Sequence, residues 1–121
     1  MTSAAIQEPD CIFCRVVRNE AHADILYQDE WVTAFRDIRP QAPTHLLIVP
    51  NQHIDSVNQL QPEHGEMPAR LLLIARQLAR QEGVADSGYR LVMNTGPQAG
   101  QSVDHLHLHL LGGRRMSWPP G

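Results

Sequence analysis

Apolar and polar positions alternate along the chain in blocks that name their own elements. Phe13, Val16 and Val17 fall at helical spacing after Asp10, a residue able to cap, so a short helix is expected over roughly residues 11–18. Ile25–Tyr27 and Trp31–Phe35 read as two strands of a hairpin around Gln28-Asp29-Glu30. His45–Val49 is a third strand, stopped by Pro50, after an irregular, proline-containing loop over Asp37–Pro43. Pro62 suits the first turn of a long helix ending near Glu82, with Gly83 as the stop and Pro68 marking a kink or a later start. Leu71, Leu72, Ala75, Leu78 and Ala79 form its core-facing stripe. Tyr89–Asn94 is a fourth strand, Gly96–Gly100 a loop, and His105–Leu111 a fifth strand ended by Gly112-Gly113. The pattern predicts an α+β domain: a five-stranded, mostly antiparallel sheet covered on one face by one long helix, with a short N-terminal helix. Residues 1–9 read as a flexible tail ahead of a single domain over 10–121.

Composition narrows the classes. At 121 residues and 42% apolar content, one packed domain is expected and disorder is not. A net charge of −3, with seven histidines counted as neutral, argues against a nucleic-acid partner. No basic segment leads into an apolar stretch at the start, and the longest apolar run is Leu71–Ala75. No signal peptide, no membrane partner and a cytoplasmic location are therefore expected.

The segment His105-Leu106-His107-Leu108-His109-Leu110 carries the chemistry. On a strand the three leucines face one way and the three histidines the other, with same-face neighbours roughly 6.5–7 Å apart. A merely solvated face is a poor account of three alternating histidines. Two functional readings remain: a strand-borne metal site, and nucleophilic catalysis by a central histidine. The upstream Gly96-Pro97-Gln98-Ala99-Gly100-Gln101-Ser102 favours the second, because a small-residue loop lets backbone N–H groups approach an anion. Ser102 adds a hydroxyl, Asn94 an amide and His45 a fourth imidazole, while only Asp104 brings a carboxylate next to the strand.

Cys11-x-x-Cys14 is a separate feature. It can begin a Cys₂His₂ zinc site, be a reduced pair on a short helix, or be a redox motif, the last weakened by the absence of a βαβ context.

His105-Leu106-His107-Leu108-His109-Leu110-Leu111 resembles the motif of the histidine triad family. Asp37–His45, Gly100-Gln101-Ser102-Val103 and the ending Gly112–Gly121, with its Trp118-Pro119-Pro120-Gly121, are similar to the Hint-like branch, the nucleoside phosphoramidate hydrolases. The similarity runs from Cys11 to Gly121. It implies a hydrolase or transferase acting at the α-phosphate of purine nucleoside phosphoramidates, AMP-amine or acyl-adenylate in type, through a nucleotidyl-histidine intermediate. It assigns the nucleophile to His107 and leaving-group contacts to His109 and Ser102, with His45 as the additional active-site histidine. Asp37 and Ile38 would clasp the nucleoside, and Asn94, Gly100, Gln101 and Ser102, with His107 and His109, would hold the phosphate. Phe13 and Phe35 neighbour the base or serve only the core. No cofactor is implied for catalysis. In relatives with an early C-x-x-C, the partners resemble His53 and His105, giving a candidate structural zinc on Cys11, Cys14, His53 and His105. A homodimer is implied, with the C-terminal tail reaching the partner's site. Two positions depart from the family: Asp104 replaces an aromatic residue, and Asn51-Gln52 replaces a basic pair. The alternatives are a dinucleoside polyphosphate hydrolase, a nucleotide-binding interaction module with weak catalysis, and a zinc hydrolase using the histidines directly.

Overall fold

The computed structural model describes residues 7–121; residues 1–6 of the expected tail lie outside the described residues. Gln7 and Glu8 are engaged, not free. Gln7 bonds the Asn51 carbonyl and accepts from Arg18, and the Glu8 N–H donates to Cys14 Sγ at 3.3 Å.

The elements are α1 (Ile12–Val17), β1 (Ile25–Gln28), β2 (Val32–Arg36), β3 (Thr44–Pro50), α2 (Met67–Gln81), β4 (Tyr89–Val92) and β5 (Leu108–Gly112). The strands form one sheet in the order β1-β2-β3-β5-β4, antiparallel throughout. The expected α+β architecture is present.

Parity sorts the side chains. Leu46 and Ile48 of β3, Val32 and Ala34 of β2, and Leu106, Leu108 and Leu110 join Leu71, Ile74, Ala75 and Leu78 of α2 in one core. Burying each such leucine contributes about 1.5–3 kcal/mol. The odd-numbered neighbours face the other way. There Phe35, Leu47 and Val49 meet Phe13, Val16 and Val17 of α1 in a second cluster. The sheet is thus covered on both faces, not one. This explains why all seven residues of β3 are buried.

Several boundaries differ from the sequence expectation. Cys11, not Asp10, caps α1, its sulfur accepting from Cys14 N–H. The long helix starts at Met67: Pro62–His64 form a separate 3₁₀ turn ended by Gly65 at φ +59°. Pro68 then sits in the first turn, where its missing N–H costs least. Leu72 is 54% exposed and is no part of the stripe, which is completed by Met67 and Ile74. The fifth strand begins only at Leu108, so His105 and His107 precede it while keeping the alternation of faces. The fourth ends at Val92, two residues short of Asn94.

Candidate active site

The histidines share the sheet face covered by α1. In the β3–β5 register His45 pairs with Leu111 and Leu47 with His109, making His45 and His109 diagonal neighbours on that face. Their rings meet, with His45 Nε2 at 2.9 Å from His109 Nδ1. The His107 ring lies 5.0 Å from that of His109, and Phe13 stands edge-on to it at 5.1 Å.

Backbone groups set the tautomers. The Gln41 N–H donates to His45 Nδ1 at 3.0 Å, so the neutral His45 ring carries its proton on Nε2 and donates to His109 Nδ1. That leaves the His109 proton on Nε2. His107 Nδ1 lies 2.7 Å from the His105 carbonyl, to which it can only donate. The lone pair of His107 is therefore on Nε2. Burial, reinforced by His107 and His45, holds His109 down at about 4, and burial also lowers His45 against the pull of Asp37. Asp37 Oδ2 approaches His45 Nε2 to 3.4 Å, while its Oδ1 accepts from Arg39 N–H.

A cavity of about 360 Å³ opens beside these rings. His107, His109 and Ser102 line one side, and Asp37, Ile38 and Arg39 another. Phe13, Val16, Phe35 and Leu47 make its apolar wall. An apolar slot with a few convergent polar groups is the usual make-up of a small-molecule site. Ile38 is 87% exposed despite its apolar side chain, as expected of a residue poised at a cavity mouth.

The structure thus brings together His107, His109, Ser102, Asp37 and Ile38, with His45 directly behind His109. It does not bring Asn94, Gly100 or Gln101 to this lining. Gly100 N–H donates to Pro97 O and Gln101 N–H to Gly96 O, so these amides close the loop on itself. His22 and Arg39 were missed by sequence reasoning and do line the cavity. His22 sits in the segment between α1 and β1, outside any motif. Asn51 is buried, accepts from Thr33 Oγ1 and donates to Asp29 O, so the substitution at the basic pair serves the hairpin.

A second cluster lies at the start of α1. Cys11 Sγ, Cys14 Sγ, His53 Nδ1 and His105 Nδ1 all lie within 4.8 Å of one another. His105 Nε2 is 2.9 Å from Pro50 O, and His53 Nε2 is 2.8 Å from Asp55 Oδ1. Each ring thereby spends its proton outward and turns its Nδ1 lone pair to the sulfurs, at 3.3 Å from Cys11 for His105 and 3.3 Å from Cys14 for His53. Burial pushes the Cys14 thiol up to about 11, against the Glu8 N–H, and His105 down to about 4. Two soft sulfurs and two imidazoles oriented by outer partners fit a tetrahedral ion. Asp37, His45 and His109 are also close enough to share an ion. They fit one poorly: a metal on His45 Nε2 would force the proton to Nδ1, where Gln41 N–H already points. The hydrogen bonds therefore separate a cluster fit to hold a metal from a proton-holding pair.

The HIT domain family model matches residues 18–116. The chain is 53% identical over 105 residues to the purine nucleoside phosphoramidase of Escherichia coli strain K12, covering 87% of this chain and 88% of that protein. It is 46% identical over 118 residues to the 14 kDa zinc-binding protein of Zea mays, covering 96% and 91%. The crystal structure of a HIT family hydrolase from Legionella pneumophila superposes with a TM-score of 0.90 at 50% identity, over 93% of this chain and all of that one. The family match, the phosphoramidase relative and the HIT hydrolase structure together make this a histidine triad hydrolase. The chain belongs to the HIT domain family.

Proposed function

We propose that the protein hydrolyses purine nucleoside phosphoramidates at the α-phosphate through a covalent nucleotidyl-histidine. The observation that carries this reading is the His107 Nδ1–H bond to the His105 carbonyl, which presents the Nε2 lone pair beside the cavity. The 53% identical relative named purine nucleoside phosphoramidase supports the substrate class.

In the first step His107 Nε2 bonds to phosphorus and the phosphorus–amine bond breaks. The amine leaves with a proton from the His109–His45 pair. Burial holds that pair neutral in the free protein; a phosphate anion beside His109 favours a second proton on His109 Nδ1, with the His45 Nε2–H turning from it to Asp37 Oδ2. In the second step water attacks phosphorus, gives its proton back to the pair, and the His107–phosphorus bond breaks to release the nucleotide. Ser102 and His109 Nε2–H supply donors to the phosphate as charge shifts. The base occupies the apolar wall of Phe13, Val16, Phe35 and Leu47, and Asp37 accepts from the ribose hydroxyls.

Cys11, Cys14, His53 and His105 hold a structural zinc in this reading. Bound there, the metal supplies folding free energy and a fixed His105, with no part in the reaction. The functional unit is a homodimer. Trp118 is 82% exposed near the chain end, beside the Ser117 carbonyl that Arg90 holds at 3.0 Å, and a large exposed aromatic suits a partner surface. Light scattering at micromolar concentration should give the dimer mass; a monomer would contradict this assembly.

The catalytic test uses an adenosine 5′-phosphoramidate. Quenched wild-type protein should show the mass of one adenylyl adduct. His107→Ala should show none and should lose turnover by at least about 10³-fold, while AMP binding by calorimetry stays within a few-fold. Comparable kcat in the two proteins would sink the assignment.

A further inference from the structure

The Gln101 carboxamide makes three hydrogen bonds, all to backbone groups. Its Oε1 accepts from Gly96 N–H at 2.9 Å, and its Nε2 donates to Asp55 O at 2.7 Å and to Val103 O at 3.0 Å. Three backbone groups from three places in the chain converge on one amide. Gly96, at φ +84°, opens the glycine loop. Val103 follows Ser102 directly. Asp55 belongs to the segment that carries His53, and its carboxylate holds His53 Nε2.

Ser102 is the residue enclosed by these bonds. It is exposed and lines the cavity beside His107 and His109. The loop preceding it turns through Gly96 and Gly100, both at positive φ, and a Cβ on either would meet nothing within 4 Å. Packing therefore does not set the path of this loop. Hydrogen bonds do, and those not made by the backbone come from Gln101.

We propose that Gln101 is a positioning residue for Ser102: its side chain does not bind the substrate but pins the loop so that the Ser102 hydroxyl meets the phosphate. This rests on the phosphoramidate reading given above. A neutral side-chain amide satisfying three backbone groups is lost at one stroke when replaced by an apolar isostere, since each group is then left without its partner.

A double-mutant cycle tests it, with a fluorogenic adenosine 5′-phosphoramidate as the probe. Gln101→Met, similar in size and unable to make the three bonds, should lower kcat/KM about tenfold in the wild-type background. In a Ser102→Ala background the same change should cost less than about twofold, because the group being positioned is already gone. Amide exchange at Gly96, the donor to Gln101, should quicken in Gln101→Met while the core strands stay protected. If Gln101→Met does not fold, Gln101→Glu gives the same cycle, since it keeps the acceptor for Gly96 and loses both donations. Equal losses in both backgrounds, or no loss at all, would overturn the role of Gln101. A wild type inert toward the probe would remove the phosphoramidate reading itself, so the two failures are distinct.

Discussion

His105 shows how much one residue carries here. Its ring belongs to the sulfur cluster, its Nε2–H is spent on Pro50 O, and its carbonyl accepts from the ring of His107. The alternation of histidine and leucine made the two faces legible in the sequence. The tautomers were not legible, because they depend on Gln41 N–H, Pro50 O and Asp55, which only the fold brings near. The same holds for Gln101, which the motif assigns to the phosphate and the structure assigns to the backbone. His45 offers a residue-scale prediction. It passes the influence of Gln41 N–H to His109 through its Nε2–H. His45→Ala should free His109 Nδ1 to take the proton, misdirecting the donor that faces the phosphate. Steady-state kinetics should show kcat down about tenfold with KM changed by less than about threefold. An unchanged kcat would mean that His109 keeps its tautomer without His45.

At the scale of elements, the kinds were legible and the ends were not. The sequence leaves the start of the long helix open between Pro62 and Pro68, since both suit a first turn, and Gly65 at positive φ decides for the later one. Helical periodicity alone does not choose among the consecutive Leu71, Leu72 and Leu73, and the fold buries only Leu71. The join between β2 and the end of α2 was invisible in sequence. There the Arg36 guanidinium grips Glu82 through two bonds, at 2.9 and 3.0 Å. Arg36 holds the Glu82 carboxyl below its usual range. A carboxyl depressed in the folded state adds stability above its unfolded value, near 4.3, and that stability is lost as pH falls through the folded value. Arg36 is 40% exposed and Glu82 18%, so solvent screening keeps the contribution below about 1 kcal/mol. Glu82→Gln should therefore lower Tm by about 2–4 °C at pH 7, and the gap should close below about pH 4. A gap that persists unchanged at pH 3 would show that the loss is one of packing and not of charge.

Across the whole molecule, the two faces of the sheet do different work. One holds the leucines under α2, and the other holds α1, the cavity and the sulfur cluster. α1 has six residues, too few to be stable alone, and is held by Phe13, Val16 and Val17 and by its capping cysteine. No helix among the described residues is long and apolar enough to cross a membrane. Cys11 and Cys14 reach His53 and His105 across sequence separations of 39 to 94 residues, so an ion there closes α1 onto the chain that leads into β5. Zinc should consequently act on stability first and on rate second. Protein purified without chelators should carry about one zinc per chain by elemental analysis. Chelation should lower Tm, since binding to the folded form alone adds folding free energy. The rate should fall together with Tm, because a loosened His105 no longer offers a fixed carbonyl to His107, and both should return on adding zinc back. Absence of zinc would refute the site. A rate that falls and recovers with metal while Tm and circular dichroism stay constant would instead place the ion in the reaction, against the closed four-donor set seen here.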